Sequence, residues 1–405
     1  MSIIVMKFGG TSVADINCIK NVAKKIRNEL RNNHKIVVVV SAMAGTTNQL
    51  IDWVKEAAAN VNKREYDVVV SSGEQITSGL LTLALSDLNI YSRSWLGWQV
   101  PLLTDRIHSK ASIVKIDTKA IKNFFKTGDV AVVAGFQGVN SNGDISTLGR
   151  GGSDTSAVAF AAALKAKRCD IYTDVEGIYT SDPRIVSKAN KLVKVSFEEM
   201  MEMSSQGAKV LETRSVALAM KYGVRIQVLS SFKDTLGTFV VDEEEIMEKK
   251  VVSGIAHSLN VAKITIVGIP DKPGQAAKLF SGLAQSSINV DMIVQSSSPD
   301  SNSTDLTFTV PETELKFAID AINKTKFDVG FKEILSDIDV GKIAVVGVGM
   351  NARPGVAQKM FESLAEKSIN LQVISTSEIK ISILIEASYV ELALRTLHSA
   401  FDLDK

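Results

Sequence analysis

The sequence predicts an α/β protein, with a mainly parallel sheet and crossover helices in its first part and two ferredoxin-like modules in its second. Three observations predict this fold class. Short apolar strand patterns alternate with helical ones over the first half, a charged run then interrupts the alternation, and an internal repeat follows it. With 405 residues the chain is also too long for one compact domain, so we expect two or three.

The first half contains short apolar runs that have the length of buried strands. Helical patterns separate them, beginning with a basic helix after the first run. This alternation is typical of a parallel sheet whose strands are joined by crossover helices. The predicted strands are residues 3–8, 36–40, 67–70, 130–134 and 225–229.

The charged run at residues 242–250 marks the predicted end of the first domain, because it breaks this alternation. Beyond it, an offset of 81 residues (264 to 345) aligns two copies of one pattern. Each copy has a Pro-Gly turn that leads into a helical pattern. The aligned residues include Gly268 with Gly349, Pro273-Gly274 with Pro354-Gly355, and Ser287-Ile288-Asn289 with Ser368-Ile369-Asn370.

Each copy predicts the βαββαβ order of a ferredoxin-like module. The first copy has its last strand near residues 327–335, whereas the second ends with the helix 390–401 and lacks one strand. A strand-like segment at 251–257 precedes the first copy, so we expect it to complete the second module. The predicted domains are residues 1–245, a first module at 261–340, and a second module built from 251–260 and 341–405.

Composition and charge exclude several classes of protein. The chain has 46 Lys and Arg against 45 Asp and Glu, so no overall field attracts nucleic acid or anionic lipid. Two cysteines are too few for a disulfide framework, and four scattered histidines lack the spacing of metal ligands. No uncharged apolar run approaches the roughly 20 residues that span a bilayer. We expect a cytoplasmic protein without a metal site of its own.

Two glycine loops carry the candidate site residues. In the first, Lys7 precedes Gly9 and Gly10 at the end of a predicted strand, so that backbone N–H groups and an ammonium suit a phosphate. The second, at 149–153, interleaves three glycines with Arg150, whose guanidinium suits a carboxylate. Asp154 follows at the start of a helix, where it is either a cap or a functional residue.

These loops, together with further segments, resemble the aspartate kinase family of the amino-acid-kinase fold over the whole chain. The repeats are similar to tandem ACT modules, the segment ISTSEIKIS at 374–382 included. The chain departs from the family at Asn-Ala-Arg, 351–353, and at Glu212-Thr213, which bears on effectors rather than on the chemistry. The matching segments are KFGGTS at 7–12, VVSAM at 39–43, SGE at 72–74, GFQG at 135–138, the loop 149–154, TDVEGIYTSDPR at 173–184 and GAKVL at 207–211.

The resemblance implies transfer of the ATP γ-phosphoryl group, with Mg²⁺, to the side-chain carboxylate of L-aspartate. The product is 4-phospho-L-aspartate, at the head of lysine, threonine and methionine biosynthesis. A carboxylate with a pKa of about 4 is already ionised at neutral pH, so it needs charge neutralisation and alignment rather than a general base. The implied roles are catalysis for Lys7 and Asp154, aspartate binding for Ser41, Thr47, Glu74 and Arg150, and nucleotide binding for Lys7, Gly9, Gly10, Thr173, Asp174, Tyr179, Arg184 and Lys209.

Tandem ACT modules imply feedback by lysine, threonine or both, at pockets formed between modules of two chains, and hence a homodimer. The candidate effector residues are Asp271, Asn289, Asp291 and Gln295 in the first module and Asn370, Ser375, Thr376 and Ser377 in a partner module. Two alternatives stay open: a member of the same fold that phosphorylates glutamate, acetylglutamate or a nucleotide, and a purely regulatory amino-acid-binding protein. The set of Lys7, Glu74, Arg150 and Asp154 favours an enzyme.

Overall fold

The computed structural model describes residues 2–208, 210–246, 250–297, 302–350, 353 and 355–405. Its chain divides into two units. The first comprises Met1–Ile178, Lys191–Ser204 and Lys209–Met247, and the second comprises Tyr179–Asn190, Ser205–Ala208 and Glu248–Lys405. Two short segments, 179–190 and 205–208, therefore belong to the second unit although they precede the charged run in the sequence.

The first unit is built on a mainly parallel sheet, as the sequence predicted. Its strands are β1 (Ser2–Phe8), β2 (His34–Val40), β3 (Ser92–Trp95), β4 (Leu102–Thr104), β5 (Ile113–Ile116), β6 (Val130–Ala134), β7 (Gln137–Val139), β8 (Ile145–Thr147), β9 (Cys169–Thr173), β10 (Lys194–Ser196), β11 (Ile226–Ser230) and β12 (Thr238–Val241). In the described part of the chain, eight of them form one sheet in the order β10-β12-β11-β9-β1-β2-β6-β3. Within it, the β11–β12 pair is antiparallel and the other described pairs are parallel. A small sheet, β5-β4-β7-β8, lies in the same unit.

Helices cover both faces of the large sheet. They are α1 (Ile16–Leu30), α2 (Thr46–Ala57), α3 (Lys63–Val70), α4 (Ser72–Ser86), α5 (Lys119–Phe124), α6 (Gly152–Leu164), α7 (Phe197–Ser205) and α8 (Thr213–Tyr222). In β1, Ile4, Met6 and Phe8 pack in one core with residues of α1 and α4. Side chains alternate along a strand, so Lys7 faces the opposite side, where α6 contacts β1. This alternation brings a polar side chain of a buried strand to the face that carries the candidate site.

The predicted strand at 67–70 is wrong, because these residues end helix α3. The side chain of Asn62 caps that helix by accepting a hydrogen bond from the Arg64 N–H at 2.9 Å. Asp67 and Val70, three residues apart, both point into the core. The run of valines favours a strand locally, but burial of this helical face outweighs that propensity.

The stretch Lys63–Ser86, which contains α3 and α4, is long and apolar enough to cross a membrane by length and composition alone. However, 44% of its most apolar window is buried inside the protein. Asp67 and Glu74 are also buried on its inner face. Packing inside the first unit therefore accounts for part of its apolar character, while Ile76 and Leu83 stay exposed.

The second unit contains the two copies of the repeat. Its strands are β13 (Gly254–Ser258), β14 (Val261–Pro270), β15 (Asp291–Ser297), β16 (Ser303–Pro311), β17 (Glu333–Asp337), β18 (Val340–Val346), β19 (Val373–Thr376) and β20 (Lys380–Glu386). Its helices are α9 (Gln275–Gln285), α10 (Leu315–Lys324), α11 (Lys326–Val329), α12 (Val356–Ala365) and α13 (Val390–Ala400). Among the described residues these strands form two four-stranded antiparallel sheets, β15-β16-β14-β17 and β13-β18-β20-β19.

The sheet of the second repeat takes its edge strand from β13, which pairs with β18 from Gly254 opposite Val346 to Ser258 opposite Lys342. In the first repeat, residues 326–329 form α11, so the last strand begins only at β17. Gly330 ends α11 in the left-handed conformation, at φ 77°. This turn moves the strand later than the sequence predicted.

The two sheets of the second unit also pack against each other. Val261 and Met292 from the first repeat form a buried cluster with Val340, Val373 and Leu384 from the second. As a result, β15 lies against β19. These strands carry four of the eight candidate effector residues, Asp291, Gln295, Ser375 and Thr376.

Candidate active site

A cavity of about 290 Å³ in the first unit gathers all of the residues expected to bind aspartate. The ends of β1 and β2, the starts of α2 and α4, and the glycine loop before α6 form its walls. The lining residues are Lys7, Gly10, Ser41, Ala42, Met43, Ala44, Gly45, Thr47, Glu74, Phe136, Gly149, Arg150, Gly151, Gly152, Ser153 and Asp154. Another cavity, of about 300 Å³, lies beside α1 and contains none of the expected site residues.

A buried ion pair joins the two glycine loops. Lys7 Nζ lies 2.6 Å from Asp154 Oδ1, and the two side chains are 11% and 12% exposed. A Cβ atom at Gly9 would lie only 3.3 Å from this ammonium, so the lysine folds back over the first loop. The cavity therefore contains a positive charge that is held in place by the first turn of α6.

Close backbone contacts bring α4 to the end of β2. A Cβ atom at Gly73 would lie 2.7 Å from the Cβ of Ala42, a distance that a side chain there could not tolerate without a shift. Ser41, in the same turn, donates its N–H to the carbonyl of Phe8 at 3.1 Å. Only a glycine at position 73 lets the first turn of α4, with Glu74, reach the cavity.

Glu74 is a buried carboxylate whose hydrogen bonding is incomplete. Its residue is 3% exposed, and Oε1 accepts a hydrogen bond from the Ala42 N–H at 3.1 Å. Oε2 has no hydrogen-bond partner among the residues that the structure describes. Burial raises the pKa of Glu74 to about 8, against the lowering effect of the Ala42 hydrogen bond. Such an oxygen is suited to a cationic donor that enters from the cavity.

The second glycine loop adopts a conformation that glycine allows. Gly149 and Gly151 have φ values of 80° and 66°, and Gly151 is the N-cap of α6. Between them, Arg150 is exposed at the cavity. The Arg150 guanidinium and the Glu74 carboxyl group thus line one cavity, and Glu74 carries the opposite charge once it is ionised.

Glu212 is a neighbour of this loop that the sequence analysis assigned no role in the site. A Cβ atom at Gly151 would lie 2.4 Å from Glu212 Cγ, so the glutamate packs directly against the loop. Burial raises the pKa of Glu212, and the nearby Asp154 carboxylate raises it further. In the sequence Glu212 stood out only as a departure from the family. Its contact with the loop could not be predicted, because 61 residues separate it from position 151.

The expected nucleotide residues are brought together in part. Gly9 donates its N–H to the carbonyl of Tyr172 at 3.3 Å, so the first loop adjoins the end of β9, where Thr173 and Asp174 follow. Thr173 donates its hydroxyl to the Asp174 carboxylate at 3.1 Å. These residues lie on neighbouring strands of the first unit, next to Lys7.

Two further expected nucleotide residues belong to the other unit, and a third is not described. Tyr179 and Arg184 belong to the second unit. Arg184 is exposed and forms a two-point ion pair with Asp182, with Nη2 to Oδ2 at 2.7 Å. Lys209 lies outside the described residues.

The candidate effector residues lie in the second unit, and two groups of them meet within one chain. β15, with Asp291 and Gln295, lies against β19, with Ser375 and Thr376. The sequence analysis placed the second group on a partner chain, whereas in this structure the packing of the two sheets is intramolecular. The hydroxyl of Ser377 is buried and has no partner among the described residues.

Asp291 already has a cationic partner in this arrangement. Lys342 Nζ, on a side chain that is 5% exposed, donates to Asp291 Oδ2 at 2.6 Å. Burial acts to raise the pKa of Asp291, but the ammonium outweighs it and the net pKa is lowered. Asp271, Asn289 and Asn370 are exposed at turns.

Family models match both parts of the chain. The amino acid kinase family model matches residues 2–230, and the ACT domain model matches residues 264–325 and 343–401. The aspartate kinase of Pseudomonas putida is 52% identical over 405 residues, covering 100% of this chain and 98% of the relative.

Two solved structures are similar over nearly the whole chain. The crystal structure of E. coli aspartokinase III in complex with aspartate and ADP has a TM-score of 0.82 at 24% identity, covering 98% of this chain and 99% of that chain, which shows a shared fold. E. coli aspartokinase III in complex with lysine and aspartate has a TM-score of 0.76 at 25% identity, with the same coverage of 98% and 99%.

Proposed function

Since this chain belongs to the aspartate kinases of the amino acid kinase family, we propose that it transfers the γ-phosphoryl group of ATP to the side-chain carboxylate of L-aspartate. The product is 4-phospho-L-aspartate, the first intermediate towards lysine, threonine and methionine. One observation carries the proposal: a single cavity presents a lysine, an arginine and a buried glutamate, one oxygen of which has no partner among the described residues.

The charges of the cavity match those of aspartate. Glu74 accepts hydrogen bonds from the α-ammonium through Oε2, and this contact satisfies a buried oxygen for which the described part of the chain offers no partner. Arg150 binds the α-carboxylate through its guanidinium. Ser41 and Thr47, on the wall formed by β2 and α2, orient the side-chain carboxylate by donating their hydroxyls.

The chemical step needs alignment and charge neutralisation. An oxygen of the aspartate side chain attacks the γ-phosphorus, and the bond from that phosphorus to the bridging oxygen of ADP breaks. Lys7 screens the repulsion between the two anions and stabilises the transferred phosphoryl group, assisted by the N–H groups of Gly9 and Gly10. Asp154 holds the ammonium in place through the 2.6 Å ion pair.

ATP binds along the first glycine loop and the end of β9, at Thr173 and Asp174. Mg²⁺ accompanies the nucleotide and neutralises charge on its phosphates. The described residues contain no group of three or more His, Cys, Asp or Glu side chains that could hold a metal by themselves. Mg²⁺ in kinases is held by one or two carboxylates together with the phosphates, and Asp154 would supply such a carboxylate.

The two repeats, which are ACT modules, regulate the kinase by binding effectors. The catalytic domain spans residues 1–245, and the ACT modules span 261–340 and 251–260 with 341–405. Lysine, threonine or both bind near Asp291, Gln295, Ser375 and Ser377 and inhibit the kinase. The ACT modules pair in a homodimer, and the enzyme acts in the cytoplasm, where ATP and aspartate are available.

A substrate panel tests the proposal. ADP release is measured with Mg-ATP and, in turn, aspartate, glutamate, N-acetylglutamate and a nucleoside monophosphate, each with and without lysine and threonine. We expect turnover with aspartate alone and inhibition by at least one of the two amino acids. Faster turnover with another acceptor would assign the chain to a different reaction, and binding of amino acids without any turnover would make it a regulatory protein.

A further inference from the structure

We propose that Asp67, on α3, is a positioning residue for the aspartate site: it fixes the loop that carries Arg150 without touching the substrate. The inference rests on the proposed role of Arg150. Asp67 is fully buried, at 0% exposure, and does not line the cavity. In the sequence it stands in a segment that predicts a strand, so nothing in its local pattern indicates this role.

Asp67 is the centre of a buried hydrogen-bond network that joins three segments. Thr147, the last residue of β8, donates its hydroxyl to Oδ1 at 2.6 Å. Ser109 donates its N–H to both oxygens, at 3.1 and 3.0 Å. His108 Nδ1 lies 2.8 Å from Oδ2. One carboxylate thus connects α3, β8 and the loop around residue 108.

The network continues directly into the glycine loop. Thr147 accepts a hydrogen bond from the Ala111 N–H at 2.9 Å. Arg214, on α8, donates to the carbonyls of Leu148 and Ala111 at 2.9 and 2.8 Å. The backbone that leads into position 149 is therefore held by side chains from two separate helices.

The loop itself packs on this support. A Cβ atom at Gly149 would lie 3.1 Å from the carbonyl oxygen of Ser109, the residue whose N–H is bound to Asp67. Arg150 is the next residue, so its backbone position depends on where this surface lies. A displaced surface would misplace the guanidinium relative to the cavity.

The same helical segment also positions Glu74. Gln137 donates its side-chain amide to the carbonyl of Ser71 at 2.9 Å, at the junction between α3 and α4. Glu74 lies in the first turn of α4, three residues after Ser71. Asp67 and Glu74 lie on one continuous segment, and Asp67 holds the loop that carries Arg150. The segment α3–α4 therefore sets the distance between Glu74 and Arg150, the two groups proposed to bind the α-ammonium and the α-carboxylate of aspartate.

A carboxylate is required at position 67 because it can accept hydrogen bonds on both oxygens. An asparagine of the same shape offers one accepting oxygen, and its NH₂ group would face donors that need an acceptor. Because the Ser109 N–H lies 3.1 and 3.0 Å from the two oxygens, the NH₂ group of Asp67→Asn faces this donor in either orientation, and the attachment of the loop at Ser109 is loosened. Thr147→Val removes one bond of the network at constant shape, and Thr147→Ser restores the hydroxyl.

The test measures kcat and KM for aspartate and for ATP in Asp67→Asn, Thr147→Val and Thr147→Ser, together with thermal unfolding. We expect Asp67→Asn to lower kcat/KM for aspartate on the order of 10- to 100-fold, because small misplacements of a binding group have effects of this size. The KM for ATP should stay within about threefold. Thr147→Val should lower kcat/KM for aspartate by a smaller factor than Asp67→Asn does, and Thr147→Ser should have a kcat/KM close to that of the wild type.

Asp170→Asn is the matched control. Asp170 is also a fully buried aspartate of the first unit, but it pairs with Arg168 at 2.8 Å and does not contact the glycine loop. The variant Asp170→Asn should lower the temperature of thermal unfolding without raising the KM for aspartate selectively.

Equal losses for ATP and aspartate in Asp67→Asn, or unchanged aspartate kinetics in both Asp67→Asn and Thr147→Val, would overturn the inference. If Asp67→Asn does not fold, the test is the comparison of kcat/KM for aspartate between Thr147→Val and Thr147→Ser, and equal values in these two variants would overturn the inference. Arg150→Ala separates this inference from the proposed function. If only Arg150→Ala weakens aspartate use, the positioning role is wrong and the substrate site stands, whereas normal aspartate kinetics in Arg150→Ala would contradict the substrate site itself.

Discussion

Glu74→Gln tests the electrostatic core of the site, because it removes a charge and keeps the shape of the side chain. Glutamine can still accept the 3.1 Å hydrogen bond from the Ala42 N–H. It cannot offer a charged oxygen to an ammonium. The substitution therefore separates the contribution of charge from that of packing.

The magnitude follows from the burial of Glu74. Its pKa is raised from 4.5 to about 8 in the folded protein, which corresponds to roughly 5 kcal/mol in favour of the neutral form. Because the folded-state pKa lies above the unfolded value, this stabilisation is complete below about pH 4.5 and is lost as the pH rises to about 8. Glutamine does not ionise, so the variant without substrate should unfold at a higher temperature than the wild type near pH 8.

Folding without substrate favours the neutral form of Glu74, whereas binding of aspartate should favour the ionised form. The α-ammonium pairs with an ionised Glu74, so binding releases a proton at any pH below about 8. The KM of the wild type for aspartate should then fall by up to about tenfold per pH unit between roughly pH 6 and 8. The glutamine variant should lose this slope, and near pH 8 its KM should be on the order of 10²-fold higher, since an unmatched charge in a buried pair costs about 3 kcal/mol or more.

The assay is coupled ADP release with aspartate varied at saturating ATP, repeated with ATP varied, at several pH values. Glu199→Gln is the control, because Glu199 is a buried glutamate of the same unit that accepts from the Ser196 N–H and lies outside the cavity. A wild-type KM for aspartate that does not change with pH would refute the reasoning. The same slope in the Glu74→Gln variant would refute it as well.

Three further predictions test other parts of the account. Lys7→Ala should lower kcat on the order of 10²-fold or more with the fold retained, as seen by circular dichroism, because it removes the ammonium that screens the phosphoryl group; activity within about tenfold of the wild type would exclude Lys7 from the mechanism. Arg150→Ala should raise the KM for aspartate and leave the KM for ATP nearly unchanged, and an equal loss of nucleotide affinity would place it in the other site. Gln295→Ala and Ser377→Phe should remove end-product inhibition while kcat without effector stays within about threefold, since couplings of about 1–3 kcal/mol can be lost without disturbing the active site; unchanged inhibition curves in both variants would contradict the effector site.

Much of the architecture follows from local patterns. The alternation of apolar strands with helical segments predicts the parallel sheet, and the repeat at an offset of 81 residues (264 to 345) predicts the two antiparallel modules. Gly274 and Gly355 both cap a helix in the left-handed conformation, with φ values of 92° and 102°, which is why the Pro-Gly turns were reliable signals. Glycines beside charged residues also drew attention to Lys7 and to the loop before α6, and the structure places both at one cavity.

Other features depend on contacts that no local pattern contains. The segment 67–70 looks like a strand, but it lies on a helix, and the Asp67 carboxylate makes its hydrogen bonds with residues at least 41 positions away. Thr180 pairs with His398 at 2.9 Å, across 218 residues, in keeping with the assignment of 179–190 to the second unit. Such pairings are decided by tertiary packing, which also outweighs local propensity in the valine run.

The effector region shows a similar limit. The sequence indicated which residues of each repeat lie near a turn or strand end, but not that β15 and β19 meet within one chain. Nor could it show that Lys342 pairs with Asp291 at 2.6 Å, because a buried lysine on a central strand has no signature of its own.

The most direct test of the central claim is to identify the phosphorylated product. The enzyme is incubated with Mg-ATP and aspartate in the presence of hydroxylamine, which converts an acyl phosphate into a stable hydroxamate, and the product is analysed by mass spectrometry. We predict the hydroxamate of the aspartate side-chain carboxylate, formed in step with ADP and nearly absent with Lys7→Ala. ADP formation without this hydroxamate, or a hydroxamate formed preferentially from glutamate or N-acetylglutamate, would contradict the account.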